Sequence, residues 1–223
     1  MGKYFFAWGL VAAVFLMQLA HAPQDARIVR RVDCTEKFVA LTIDDGPYPK
    51  STEKLLKVLD DNNVKATFFV LGENAVLYPD LFAKIKEKGH EIASHSFTHR
   101  HLNKLKETDC REEFSKAEEV LGKVDYFRPP GGLYNEQVLK EAQARGYKTI
   151  LWSIDTLDWQ KPSCQQVVNK VMANIKEGSI ILLHDGQANL PTPQAINIFV
   201  DSLKKQGYTF KTIGELLNTE KND

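Results

Sequence analysis

The 223 residues carry 29 basic and 29 acidic side chains, with 43% hydrophobic and 26% charged residues, the composition of one folded domain without net charge. The balance argues against a nucleic-acid binder, which would carry a basic excess on one face. Thirteen glycines, nine prolines and three cysteines exclude collagen-like, low-complexity and disulfide-dense scaffolds, and the length is enough to bury a core without staples.

In chain order, the first feature is an uncharged apolar run over residues 4–20, preceded by Lys3 and followed by Ala20-His21-Ala22. One positive charge, an apolar centre and small residues at the end are the pattern of a secretory signal peptide. Residues 1–22 are therefore expected to direct export to the periplasm, the cell envelope or the medium. They are then either cleaved, although Pro23 is unfavourable after a cleavage point, or kept as a membrane anchor through residues 4–20. Residues 23–36 read as an N-terminal extension, 37–218 as the folded domain and 219–223 as a short tail. Cys34, Cys110 and Cys164 are too widely spaced for a thiolate zinc site, and the sequence selects no disulfide among them.

From residue 37 onward, short apolar runs alternate with amphipathic ones. Strands are expected at 38–43, 66–71, 90–94, 126–128, 148–154, 179–184 and 208–213. Helices are expected at 52–59, 79–88, 109–121, 136–145, 165–176 and 193–206, with a terminal helical turn at 214–217. Leu55, Leu56 and Leu59 share one face of the first helix, and Phe114, Ala117 and Leu121 form a stripe on the third. Alternation at this interval implies an α/β fold with a parallel sheet, either a barrel or a doubly wound open sheet. In both, ligands bind beyond the C-terminal ends of the strands.

Reactive side chains cluster at those ends. The first strand runs into Thr42-Ile43-Asp44-Asp45-Gly46-Pro47, the third into His95-Ser96-Phe97-Thr98-His99, and the fourth into Arg128-Pro129-Pro130-Gly131-Gly132. The fifth leads to Asp155-Thr156-Leu157-Asp158-Trp159, and the sixth runs into Leu182-Leu183-His184-Asp185. Neighbours in a strand point to opposite faces, so Asp44 and Asp45 reach one site only where Gly46-Pro47 turns the chain. Two adjacent carboxylates need a cation or a cationic side chain beside them. His95 and His99, four apart, with one carboxylate give two nitrogen ligands and one oxygen ligand and leave positions open for water and substrate. That set suits a divalent metal, zinc first. His184 is either a satisfied core histidine or a proton carrier, Arg128 a structural partner or a clamp on a carboxylate, and Trp159 a core residue or a platform for a sugar ring.

These five segments, in this order, resemble the polysaccharide deacetylases of carbohydrate esterase family 4, which share the NodB-homology domain. The resemblance runs from about Phe38 to Leu217 and implies a distorted (β/α)7-type barrel of parallel strands. It implies Asp44 as general base, Asp45, His95 and His99 as metal ligands and His184 as general acid. Arg128 would hold Asp44, and Asp158 would orient His184 or tune its pKa. Pro130, Gly131, Trp159 and Leu182 would bind substrate, with Trp159 and Leu182 around the acetyl methyl and the Gly131 N–H on the developing oxyanion. Gly131 stands where the family often has tyrosine, which leaves the donor but removes a ring beside the cleft. The implied activity is hydrolysis of N-acetyl groups on an N-acetylglucosamine-type glycan such as peptidoglycan or chitin, with no nucleic acid and no obligate protein partner. A metal-dependent amidase on small amides, an O-acetyl xylan esterase and a non-catalytic glycan binder are the alternatives.

Overall fold

Nine strands and eight α-helices alternate along residues 25–220, the part of the chain that the computed structural model describes. The export segment expected at 1–22 lies outside the described residues, and among those residues no helix is long and apolar enough to cross a membrane. In chain order the elements are β1 (Ile28–Val29), β2 (Phe38–Asp44), α1 (Ser51–Asp61), β3 (Thr67–Val70), α2 (Gly72–Leu77), α3 (Pro79–Glu87), β4 (Glu91–Ser94) and α4 (Glu107–Leu121). There follow β5 (Tyr126–Phe127), α5 (Glu136–Ala144), β6 (Lys148–Ile150), β7 (Ile154–Asp155), α6 (Cys164–Asn174), β8 (Ile180–His184), α7 (Thr192–Lys205), β9 (Thr209–Lys211) and α8 (Ile213–Leu217).

The strand order is β1-β6-β5-β4-β3-β2-β8-β7, with β9 paired to the start of β2, and every ladder is parallel. The sheet curls into a distorted half-barrel, as expected. Its two ends meet in one stretch of chain. The run 148–154, read from sequence as a single strand, is two: β6 pairs with β5 and β1, whereas β7 pairs with β8. Across the break the Leu151 N–H donates to the Val29 carbonyl at 2.8 Å and the Ser153 N–H to the Ile180 carbonyl at 3.1 Å. An apolar run shows that a segment is buried but not which neighbours it pairs with, so this bend was hidden. β1 and the short helix α2 were not expected either. β1 brings part of the stretch read as an extension into the sheet, and Arg31 adds a bridge to Ser179.

Strand alternation sorts the side chains. Leu41 and Ile43 of β2, Phe68 and Val70 of β3, and Ile181 and Leu183 of β8 point outward and pack under the helices, where Leu55, Leu56 and Leu59 of α1 join them. Ala40, Phe69, Ala93, Ile150 and Ile180 point inward and fill the lower barrel with Ile213 and Leu216 of α8. Removing one such buried leucine side chain down to alanine costs about 2–5 kcal/mol. The same parity carries Thr42, Asp44, Leu182 and His184 inward, and the register sets Asp44 opposite His184. The inward row thus changes from apolar to ionisable toward the C-terminal ends. Cys34, Cys110 and Cys164 are unpaired.

Candidate active site

Arg128 organises the centre of that end. Its guanidinium is buried, stacks 3.9 Å over the Phe69 ring, and donates to the carbonyls of Ile150 (3.1 Å) and Leu151 (3.0 Å). It also donates to Thr42 Oγ1 (2.9 Å) and to Asp44 Oδ1 (2.6 Å). Burial draws the Arg128 pKa down, opposed by the Asp44 carboxylate. A buried ion pair of this geometry is costly to break from one side, about 3–5 kcal/mol, because the remaining charge is left bare. One Asp44 oxygen is thereby committed, and Oδ2 stands 3.7 Å from His95 Nε2.

Asp45 follows at φ 76°, in the left-handed region, and the Gly46–Pro47 peptide is cis. This turn lets adjacent carboxylates enter one site, as the sequence required. Its N–H is held by the Phe69 carbonyl, and its own carbonyl accepts from Asn74 Nδ2 of α2 at 2.7 Å. Asp45 Oδ1 lies 3.5 Å from His95 Nε2 and 3.4 Å from His99 Nε2. That oxygen is buried and has no hydrogen-bond partner. His95 Nδ1 sits 2.8 Å from the Arg128 carbonyl. A carbonyl only accepts, so Nδ1 carries the proton and Nε2 presents its lone pair to Asp45. Burial keeps the His95 imidazole below its ordinary pKa despite the nearby charges of Asp44 and Asp45. The donor atoms of Asp45, His95 and His99 lie within 4.8 Å of one another. One carboxylate oxygen without a partner, facing two imidazole nitrogens, fits a divalent cation bound through three protein ligands with positions left open.

The loop that carries the histidines is held by Glu113, a buried residue of α4 that sequence reasoning missed. Glu113 accepts from the N–H groups of Phe97 (3.2 Å) and Thr98 (2.9 Å) and from the Thr98 hydroxyl (2.5 Å). Ser96 and His99 both have positive φ, and the Ser96 hydroxyl accepts from the His99 N–H at 3.2 Å.

Opposite stands a dyad. Asp158 Oδ1 is 2.7 Å from His184 Nδ1, while Oδ2 accepts from the His184 N–H at 2.9 Å and from the Thr192 hydroxyl. Burial by itself would depress the His184 pKa. The hydrogen-bonded Asp158 carboxylate, with the charges of Asp44 and Asp45, outweighs it and raises the group to about 9. Leu182 is buried two residues earlier on the same face, and Trp159, 45% exposed, stands next to Asp158 at the rim. Pro130 is buried, and Gly131 follows at φ 63°. The N–H groups of Gly132 and Leu133 close that turn onto Pro129 and Pro130, so neither is free for a ligand. Trp152 lies beneath, where a Cβ on Gly132 would come within 2.7 Å of its ring.

A second residue, at the end of the sixth strand, has no role in the sequence reading. Asp185 is fully buried beneath the Asp44–Asp45 turn, and burial pushes its carboxyl up to about 7, against the hydroxyls of Thr52 and Ser51.

Comparison with known proteins adds to this geometry. A family model described as polysaccharide deacetylase matches residues 31–150. A peptidoglycan-N-acetylglucosamine deacetylase of Bacillus cereus is 39% identical over 189 residues, 82% of this chain and 89% of the relative. A chitooligosaccharide deacetylase of Sinorhizobium fredii is 36% identical over 166 residues, 72% of this chain and 77% of the relative. Among solved structures, the Bc1960 peptidoglycan N-acetylglucosamine deacetylase superposes with a TM-score of 0.83 at 35% identity, covering 88% of this chain and 95% of that one. BA3943 of Bacillus anthracis, described as a pseudoenzyme of the CE4 family, gives 0.81 at 30% identity, with 88% and 70% covered.

Proposed function

The chain belongs to the polysaccharide deacetylase family, carbohydrate esterase family 4, and on that footing we propose that the site hydrolyses N-acetyl groups of an N-acetylglucosamine polymer, peptidoglycan before chitin oligomers. The protein is a hydrolase of amide bonds. Membership alone does not guarantee turnover, since a similar structure is a pseudoenzyme. The observation that carries the reading is the bare, buried Asp45 oxygen facing His95 and His99, directly beside an Asp44 held by Arg128.

Asp45, His95 and His99 would hold the divalent cation, with zinc favoured by two imidazoles and a carboxylate. Bound there, it supplies polarisation of the acetyl carbonyl and a lowered pKa for water. Asp44, pinned through Oδ1, takes the water proton on Oδ2 as the water oxygen attacks the carbonyl carbon. The Gly131 N–H donates to the oxygen on which negative charge develops, a contribution typically of about 3–4 kcal/mol for one such donor. His184, already charged at neutral pH through Asp158, gives its proton to the sugar nitrogen, and acetate and a free amine result. Leu182 and Trp159 would bound the pocket for the acetyl methyl. Export through residues 1–22 fits a substrate outside the cytoplasm, and the apolar run with its Ala20-His21-Ala22 ending supports it.

The test is acetate release by the purified protein from peptidoglycan, chitin oligomers, acetylated xylan and small amides, with and without a chelator. Release from peptidoglycan or chitin oligomers that the chelator stops is expected. No release from either, or release untouched by chelation, would overturn the reading.

A further inference from the structure

Asp185 has no part in the chemistry above, yet it is one of the most completely buried ionisable groups in the protein. Its backbone N–H donates to the Asp44 carbonyl at 2.8 Å. Its Oδ2 accepts from the Thr52 hydroxyl at 2.6 Å, and that hydroxyl accepts in turn from the Tyr48 N–H at 2.7 Å. A Cβ on Gly46 would lie 2.4 Å from Asp185 Oδ2, and a Cβ on the next residue, Gly186, 2.6 Å from the Asp45 Cβ. The carboxyl is thus packed against the underside of the very turn that presents Asp44 and Asp45, and Oδ1 is left buried without a partner.

Resting on the reading of Asp45 as a metal ligand, we propose that Thr52 and Asp185 are positioning residues that hold the Asp44–Tyr48 turn so that both carboxylates face the site. The turn needs such a device. Asp45 within it has a positive φ, uncommon for any residue with a side chain, and Lys50, just beyond it at the start of α1, has one too. The rival role is purely structural. Lys50 provides no side-chain cap for α1, and the Asp185 carboxyl stands at the first turn of that helix, where a hydrogen-bond acceptor is favourable. A cap would matter for stability and leave the coordination of Asp45 alone. A positioning role couples the hydroxyl to the metal.

The experiment uses the full chain loaded with Co2+, whose visible spectrum reports ligand geometry. Thr52→Val keeps shape and removes both hydrogen bonds, whereas Thr52→Ser keeps the hydroxyl. Expected for Thr52→Val are a changed cobalt spectrum, cobalt affinity weakened about tenfold or more, and kcat lowered with KM within about twofold. Thr52→Ser should restore all three toward wild type, and adding Asp185→Ala to Thr52→Val should cost little beyond Asp185→Ala alone. A Thr52→Val protein with wild-type spectrum and affinity overturns the proposal even if its melting temperature falls, and so does a Thr52→Ser protein as impaired as Thr52→Val. If the wild-type chain itself takes up no cobalt, the metal-site reading fails first and carries this one with it.

Discussion

Each end of the half-barrel holds a partly buried carboxylate, Glu91 at one and Asp45 at the other, and the two are bonded in opposite ways. At the N-terminal end Glu91 is bonded through both oxygens. Thr67 donates to Oε2 at 2.6 Å, and the Gly214 N–H, at the start of α8, reaches Oε1 at 3.1 Å and Oε2 at 3.3 Å. Thr67 Oγ1 also accepts from the Ile213 N–H, so the group ties β3, β4 and α8 together. At the C-terminal end Asp45 keeps a buried oxygen with no donor, facing two imidazole nitrogens. A buried acceptor left bare costs about 1–3 kcal/mol. The contrast teaches that residue type alone does not separate a structural acid from a candidate metal ligand. A buried oxygen left without a donor and facing two imidazole nitrogens marks the ligand.

That contrast can be broken most severely at Asp45. Asp45→Ala should abolish measurable metal retention on dialysis and lower acetate release at least about 10³-fold, while the unfolding free energy of the metal-free protein changes by less than about 1 kcal/mol, because removing a bare buried acceptor offsets the poorer fit of alanine to the positive φ there. Loss of stability as large as a cavity mutation would show that Asp45 is structural after all.

Next is Asp158→Asn, which removes the charge that holds His184 up. A fall in kcat of about 10²-fold is expected, with the alkaline limb of the rate moving to lower pH and metal content unchanged. A fixed alkaline limb would separate His184 from that limb.

Glu91→Ala sharpens the other side. It should cost about 2 kcal/mol in unfolding free energy and leave kcat of the folded protein alone, since its partners lie at the opposite end. A kcat effect without a stability effect would reverse the assignment of the two ends.

The smallest effect lies at His90, also at the N-terminal end, whose Nδ1 accepts from the Ala66 N–H. Burial lowers its pKa to about 4, with the positive charge of Lys65 adding to the shift and Asp60 opposing it. In the folded state the ring stays neutral, whereas the unfolded chain takes up a proton as pH falls through the ordinary imidazole value of 6.5. The stability it contributes is therefore complete above that value and lost as pH falls toward 4, by about 1 kcal/mol after allowing for partial solvent screening. Urea titrations at pH 7.5 and 5 should show the loss in wild type and less of it in His90→Gln.

Much of this site could be read from the sequence because a parallel α/β fold exposes its chemistry at strand ends, and those ends are visible as the places where apolar runs stop. Asp44, Asp45, His95, His99, Arg128, Asp158 and His184 all lie at such stops, and the structure brings them to one end of the barrel. Asp185 stands at such a stop too but takes no role from the sequence, because strand alternation would turn it away from the interior that His184 faces. The chain bends at that point, and the carboxyl meets Thr52 instead. Glu113 lies in a helix rich in acids, where helical periodicity gives a solvated face. Its partners are backbone N–H groups of a loop 15 and 16 residues earlier, and loop amides leave no trace in periodicity. The split of 148–154 escaped for a related reason: hydrophobic pattern records burial and is silent about pairing.

The seam between β6 and β7 has a bearing on how the molecule assembles. The carbonyls of Ile150 and Leu151 at that seam and the carboxylate of Asp44 share a single guanidinium, that of Arg128. A chain in which the sheet is still open would present Asp44 without this counter-charge, in an environment already losing water. Closure and neutralisation should therefore be coupled. The Leu151 amide, bonded to Val29 on the β6 side of the seam, and the Ser153 amide, bonded to Ile180 on the β7 side, would then exchange with solvent in the same cooperative opening that frees Arg128 from Asp44.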